Sequence, residues 1–214
     1  MSGARVSYEG AESFLPSPRG NLKALREASR TCRGCDLFAR ATQTVFGAGN
    51  PNARMVLVGE EPGDKEDLAG APFVGPAGHV LDDALARSGI DHAEVYLTNA
   101  VKHFKWEPRG KIRLHKKPTA REVVACVPWL EAELAAIKPA VIVGLGATAA
   151  RSILGRPVTL SSQRGKTIER QDGYPVILTL HPSAVLRATP EAREEARGRL
   201  VDDLRRAARI AGKA

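Results

Sequence analysis

Four small groups of residues in this 214-residue chain have the types and spacing for chemistry. The stretch "KIRLHKKP", Lys111 to Pro118, sets His115 among cations, where an imidazole can contact a polyanion or react with it. Cys32 and Cys35, in "CRGC", have the two-residue gap that lets two thiolates reach one metal or cluster, and Cys126 is the remaining thiol. A fourth ligand must be of another kind, and His103, just after an apolar run, can supply an imidazole; spacing leaves zinc and iron-sulfur both open. Glu60, Glu61 and Asp64 lie in "GEEPGD", a turn where a carboxylate can project into a cleft, and His181 opens "HPS" with Ser183. Taken singly, a hydrogen-bonded turn, an exposed histidine or unrelated thiols would explain each group. Convergence on one rim would instead mark a site.

The elements that must position these residues are legible as short apolar runs: "RMVLVGE" at 54–60, "VYLTNAV" at 95–101, "AVIVGLG" at 140–146 and "YPVILTL" at 174–180. Each is nearly continuous, as in strands covered on both faces. Helical patterns separate them. "AGHVLDDALARSG" carries Val80, Leu81, Ala84 and Leu85 on one face, and "TAREVVACVPWLEAELAAI" opens with a Thr119 to Glu122 capping box. Pro128 is expected to kink or restart that helix. A basic helix is expected from about Pro190 to Ile210. The alternation predicts a three-layer α/β/α fold around a central, mostly parallel four-stranded sheet, with ligands beyond the carboxyl ends of the strands. The candidate residues fall at those ends. "GLGATA" imitates a dinucleotide fingerprint, but it is not the first strand-to-helix turn and lacks the acidic ribose partner, so its glycines are read as permitting a close turn. Residues 1–20 are expected to form a flexible arm, and 21–214 a single domain.

The composition, 43% hydrophobic and 26% charged, is that of a globular protein, and the net charge of +8 favours a polyanionic partner. Between Lys102 and Arg121 there are eight Lys or Arg against one acid, Glu107, which fits a nucleic-acid contact or a solvated loop. No apolar run is long enough for a bilayer-spanning helix, and Met1 to Gly20 has no signal-peptide core, so a cytoplasmic monomer with no membrane partner is expected. Three cysteines argue against a secreted disulfide framework.

"GEEPGDKEDLAGAPFVGPAG", "YLTNAVKHF" and "LHPSAVLR", in that order, resemble the uracil-DNA glycosylase superfamily, nearest its iron-sulfur family 4 enzymes. "VKHF" with "KIRLHK" is similar to the UdgX subgroup, whose loop reads KRRIH and whose members stay covalently attached through the loop histidine to the abasic sugar. The resemblance implies a uracil-DNA glycosylase-like fold and a 4Fe-4S cluster on Cys32, Cys35, His103 and Cys126. It implies catalytic roles for Glu60, His115 and His181, with Phe73 stacked on uracil and Asn99 reading its polar edge. Glu61, Asp64, Arg113 and Ser183 complete the expected substrate contacts. The implied partner is uracil-containing DNA, single-stranded or with the nucleotide flipped out, and the implied product is free uracil with the protein joined to C1′ through His115. A turnover family 4 glycosylase and a non-catalytic iron-sulfur DNA-binding module are the alternatives. Glu61 stands where the subgroup has Gln, Ile112 replaces an Arg, and Ala184 replaces a Ser.

Overall fold

The computed structural model describes residues 10–212. Its strands are β1 (Ala48–Gly49), β2 (Met55–Gly59), β3 (Val95–Asn99), β4 (Trp106–Arg109), β5 (Ile112–His115), β6 (Val141–Leu145), β7 (Thr167–Glu169) and β8 (Pro175–Thr179). Its helices are α1 (Leu22–Ser29), α2 (Asp64–Ala69), α3 (Pro76–Arg87), α4 (Ala120–Ile137), α5 (Ala147–Leu154), α6 (Leu160–Gln163), α7 (Pro182–Arg187) and α8 (Pro190–Ile210).

The four apolar runs form the inner strands β3-β2-β6-β8, all parallel, as expected of a sheet buried on both faces. Two short strands extend it: β1 pairs antiparallel with β3, and β7 antiparallel with β8, making six strands in all. Alternation along β2 divides the core. Met55 and Leu57 face α3 and α8 through Leu81, Leu85, Leu200 and Leu204, whereas Val56 and Val58 face α4 and α5 through Leu130, Leu134 and Ile153. This is the three-layer arrangement the sequence implied.

Pro128 does not restart α4, which runs unbroken from Ala120 to Ile137. The missing N–H would have bonded the carbonyl of Val124, a residue 63% exposed, so water can satisfy that oxygen. Residues 1–9 of the expected arm lie outside the described residues; from there on, Ala11 is buried beside Leu25, Cys32 and Cys35.

Strand order reverses at β2. The chain goes from β2 to β3 on one side, and later to β6 on the other, which opens a crevice at the carboxyl ends of β2 and β6. Glu60 follows β2 there, and Gly146 and Thr148 follow β6. The basic segment folds as a separate antiparallel hairpin, β4-β5, with Trp106 opposite His115 and Gly110 in the turn at φ +60°.

Candidate active site

Close approach shapes the floor of the crevice. A Cβ on Gly59 would lie 2.3 Å from Oδ1 of Asn99 and 2.7 Å from Cζ of Phe73, so the bare glycine lets the amide and the ring sit side by side. Asn99 is 3% exposed. Phe73 takes φ +57°, a left-handed conformation costing a non-glycine residue roughly 1–2 kcal/mol, and its carbonyl packs where only Gly78 fits, since a Cβ there would come within 1.7 Å. The Phe73 ring stacks near His181, centroids 6.4 Å apart and planes 28° apart. An amide and two flat rings can read and hold a planar heterocycle.

His181 caps α7, and its Nδ1 accepts the Ser183 N–H at 3.2 Å. The Ser183 hydroxyl lies 2.8 Å from the same nitrogen and accepts from Arg187 at 2.9 Å. Burial holds the imidazole down to about 4, so the ring is neutral at physiological pH. With Nδ1 accepting, the single proton belongs on Nε2, which makes that nitrogen a donor.

The carboxylates come next. Glu60 accepts the Thr148 hydroxyl at 2.5 Å across the crevice. Glu61 is 8% exposed; its Oε2 accepts the Lys105 N–H at 3.1 Å, and burial pushes its carboxyl up to about 7. His115 ends β5, half exposed, its ring tilted against Phe104 at 5.8 Å. Its Nε2 lies 3.1 Å from Glu61 Oε1, and that contact with the carboxylate holds the imidazole above its ordinary value. The approach is an ion-pair contact without good hydrogen-bond alignment, and Oε1 has no other donor.

The cations are less available than their count implied. Arg113 does not extend towards solvent: Nε bonds Asp64 Oδ1 at 2.5 Å, Nη1 bonds the fully buried Asp67 at 2.6 Å and Thr42 at 3.1 Å, and the guanidinium stacks on Phe104 and Trp106. Asp64 and Arg113, expected at the substrate, are thus engaged with each other and pin the hairpin to α2. Lys102 is buried against Glu133, Lys105 pairs with Glu122 and Lys116 with Glu107, while Arg109, Lys111 and Lys117 are exposed. Gly59, Thr148 and Asp67 were not singled out from the sequence. Thr148 lies in the "GLGATA" turn, whose Gly146, at φ +91°, passes close to His181 as the close-turn reading requires.

The cysteines occupy a third core region at 4–6% exposure, with Trp129 and Val101 around them. Trp129 Nε1–H points to Cys32 Sγ and the Lys102 N–H to Cys126 Sγ, both at 3.3 Å, the kind of donors that stabilise ligand sulfurs. Burial pushes the Cys35 thiol up to about 11 and Cys126 to about 12, so a nearby cationic centre is needed to hold them as thiolates. Burial also keeps His103 neutral, down to about 4, as a metal ligand must be. Among the described residues, no three of these four ligand atoms lie within 4.8 Å of one another. Tetrahedral zinc would bring its sulfurs within about 3.8 Å. Three buried thiols and a neutral imidazole are donor types that an iron-sulfur cluster takes.

The profile of the Uracil DNA glycosylase superfamily matches residues 46–205, and the chain belongs to that superfamily. It is 40% identical over 167 residues to a type-4 uracil-DNA glycosylase of Thermotoga maritima, covering 78% of this chain and 83% of that one. A type-4 uracil-DNA glycosylase of Archaeoglobus fulgidus is 41% identical over 172 residues, 77% of this chain and 82% of its own. Similarity extends to a type-5 uracil-DNA glycosylase of Pyrobaculum aerophilum, 32% identical over 181 residues, 77% of this chain and 75% of its own. Excision of uracil from DNA is the activity that this membership carries. Among the described residues, no helix is long and apolar enough to cross a membrane.

Proposed function

We propose that the chain removes uracil from DNA and stays joined to the product through a bond from His115 Nε2 to C1′ of the deoxyribose, with a 4Fe-4S cluster on Cys32, Cys35, His103 and Cys126 bracing the fold. The observation that carries this reading is the position of His115: a half-exposed imidazole on a pinned hairpin, its Nε2 3.1 Å from Glu61 and a ring nitrogen within 4.8 Å of carboxylate oxygens of both Glu60 and Glu61. Uracil enters the crevice from single-stranded DNA or after flipping from the duplex. Phe73 stacks on the base, Asn99 pairs with its polar edge, and the exposed Arg109, Lys111 and Lys117 neutralise phosphates.

As the bond from C1′ to the base nitrogen breaks, its electron pair leaves with uracil and positive charge develops on the sugar. His181 Nε2–H stabilises the uracil anion, and the Glu60 carboxylate stabilises the cation. The lone pair of neutral His115 Nε2 then bonds to C1′, and the Nδ1 proton leaves to solvent, so that the linked ring is uncharged. Until the ring is neutral, Glu61 retains a proton on Nε2 and blocks the attack.

The Glu61 contact also favours a second reading, in which His115 stays an ion-pair partner and water takes C1′ with turnover. Protein mixed with a uracil-containing oligonucleotide and denatured decides between them on one gel. A slower protein-DNA band, missing with thymine DNA and with His115→Ala, is the expected result. Abasic DNA released without that band would establish turnover instead.

A further inference from the structure

The ligand-capable atoms of Glu60, Glu61 and His115 lie within 4.8 Å of one another, two carboxylates and one imidazole at the crevice mouth. Clustered acids alone would be unremarkable, but here one donor is committed to the site. The Glu61 side chain is fully buried, its Oε2 is fixed by the Lys105 N–H, and its Oε1 faces His115 with no aligned hydrogen-bond donor. A buried carboxylate oxygen with no aligned donor is costly, and a metal ion would relieve it in place of the proton it otherwise shares with His115. Two ligands on tetrahedral zinc, at roughly 2.0–2.1 Å from the metal, lie about 3.3 Å apart. The 3.1 Å from His115 Nε2 to Glu61 Oε1 already matches that spacing. Thr148 engages one oxygen of Glu60, and a carboxylate has a second to offer.

We propose that Glu60, Glu61 and His115 form a reversible binding site for a divalent transition-metal ion of the zinc class, separate from the cysteine-lined site. The imidazole nitrogen selects against Mg²⁺ and Ca²⁺, which take oxygen ligands. Three protein ligands leave the remaining coordination to solvent. In this chain Glu61 stands where a neutral amide would bind a metal only weakly, so the site depends on that one carboxylate. The nitrogen that takes the metal is also the one that attacks the sugar, so bound metal guards it. This consequence rests on the covalent reading above; the binding does not.

Cobalt(II) titrated into the full-length protein, with its cysteine-lined site as purified, is the test. One equivalent should bind with weak visible bands and without the intense near-ultraviolet absorption of cobalt-thiolate bonds. Glu61→Gln, nearly isosteric, and His115→Ala should each weaken cobalt binding by at least about 100-fold. One equivalent of zinc added before uracil-containing DNA should suppress the covalent band, and EDTA should restore it. Unchanged cobalt affinity in both variants, or thiolate bands that place the metal on the cysteines, overturns the proposal. If cobalt binds as described and no adduct ever forms, the metal site stands and the covalent reading falls. If the adduct forms and no cobalt binds, the reverse holds.

Discussion

His115 Nε2 and Glu61 Oε1 lie 3.1 Å apart, and the two groups differ sharply in surroundings: the histidine side chain is half exposed, the carboxylate side chain has no exposure. Burial raises the Glu61 carboxyl to about 7, and the carboxylate in turn raises the imidazole, so near neutrality the pair retains a proton between them. On the covalent reading proposed above, that proton occupies the lone pair that would attack the sugar.

Glu61→Gln should therefore speed adduct formation most below neutrality. With the anion removed, the His115 value falls towards its ordinary 6.5, and a larger fraction of rings is neutral at acid pH. As pH rises through the raised wild-type value, the ring of both proteins becomes neutral and their rates converge. Single-turnover trapping rates measured from about pH 5 to pH 8, the window of histidine titration, check this; identical profiles for the two proteins would remove Glu61 from the control of His115.

Arg113 should matter as a clamp for the hairpin and less as a phosphate contact. Arg113→Ala leaves the fully buried Asp67 without its cation, although the Thr42 N–H still reaches it. Breaking one side of such a pair costs about 3 kcal/mol, which in a domain of this size lowers Tm by roughly 6–12 °C. Adduct formation should fall because His115 loses its fixed hairpin. Adding Asp67→Asn should restore much of the stability without restoring trapping. Recovery of both together would show that the hairpin position is set by something else.

The parts legible in the sequence were those with a local signal. The inner strands read as continuous apolar runs because both their faces are covered, and Asn99 and His181 stand at strand ends where a parallel sheet gathers its ligands. Edge strands β1 and β7, two and three residues long, are too short to show a period. The hairpin shows in the sequence only as a cationic loop, because β4 contains Pro108 and both strands are short and mostly exposed. What no local pattern encodes is pairing at a distance. Arg113 meets Asp64 and Asp67 across 49 and 46 residues, and that meeting turns an apparent phosphate contact into a structural clamp.

The cysteine-lined site predicts iron. Protein purified without air should be brown and hold about four irons per chain, as a cubane requires. His103→Cys should keep the iron, since thiolate is the commoner ligand, whereas Cys126→Ala should lose it together with thermal stability. Stoichiometric zinc with no iron in the wild-type protein would overturn the cluster, and loss of folding in His103→Cys would count against His103 as a ligand.

Gly59→Ala tests whether the floor of the crevice reads the base as argued. The added methyl would stand 2.3 Å from Asn99 Oδ1 and 2.7 Å from the Phe73 ring, distances that force one of them to move. Phe73 is held by its left-handed backbone and by the close fit of Gly78 against its carbonyl, so the Asn99 amide is the group that yields. Gly59 ends β2, its carbonyl oxygen accepts the Ala100 N–H, and alanine needs no change in that bond, so the sheet should persist. A displacement of about 1 Å at a positioning group costs on the order of 100-fold in rate. Uracil release should fall by about that factor, and the loss should appear with single-stranded and duplex substrates alike, because it arises after the base has entered the pocket. Full activity in a folded Gly59→Ala protein would mean that Asn99 does not read uracil from the position it holds here.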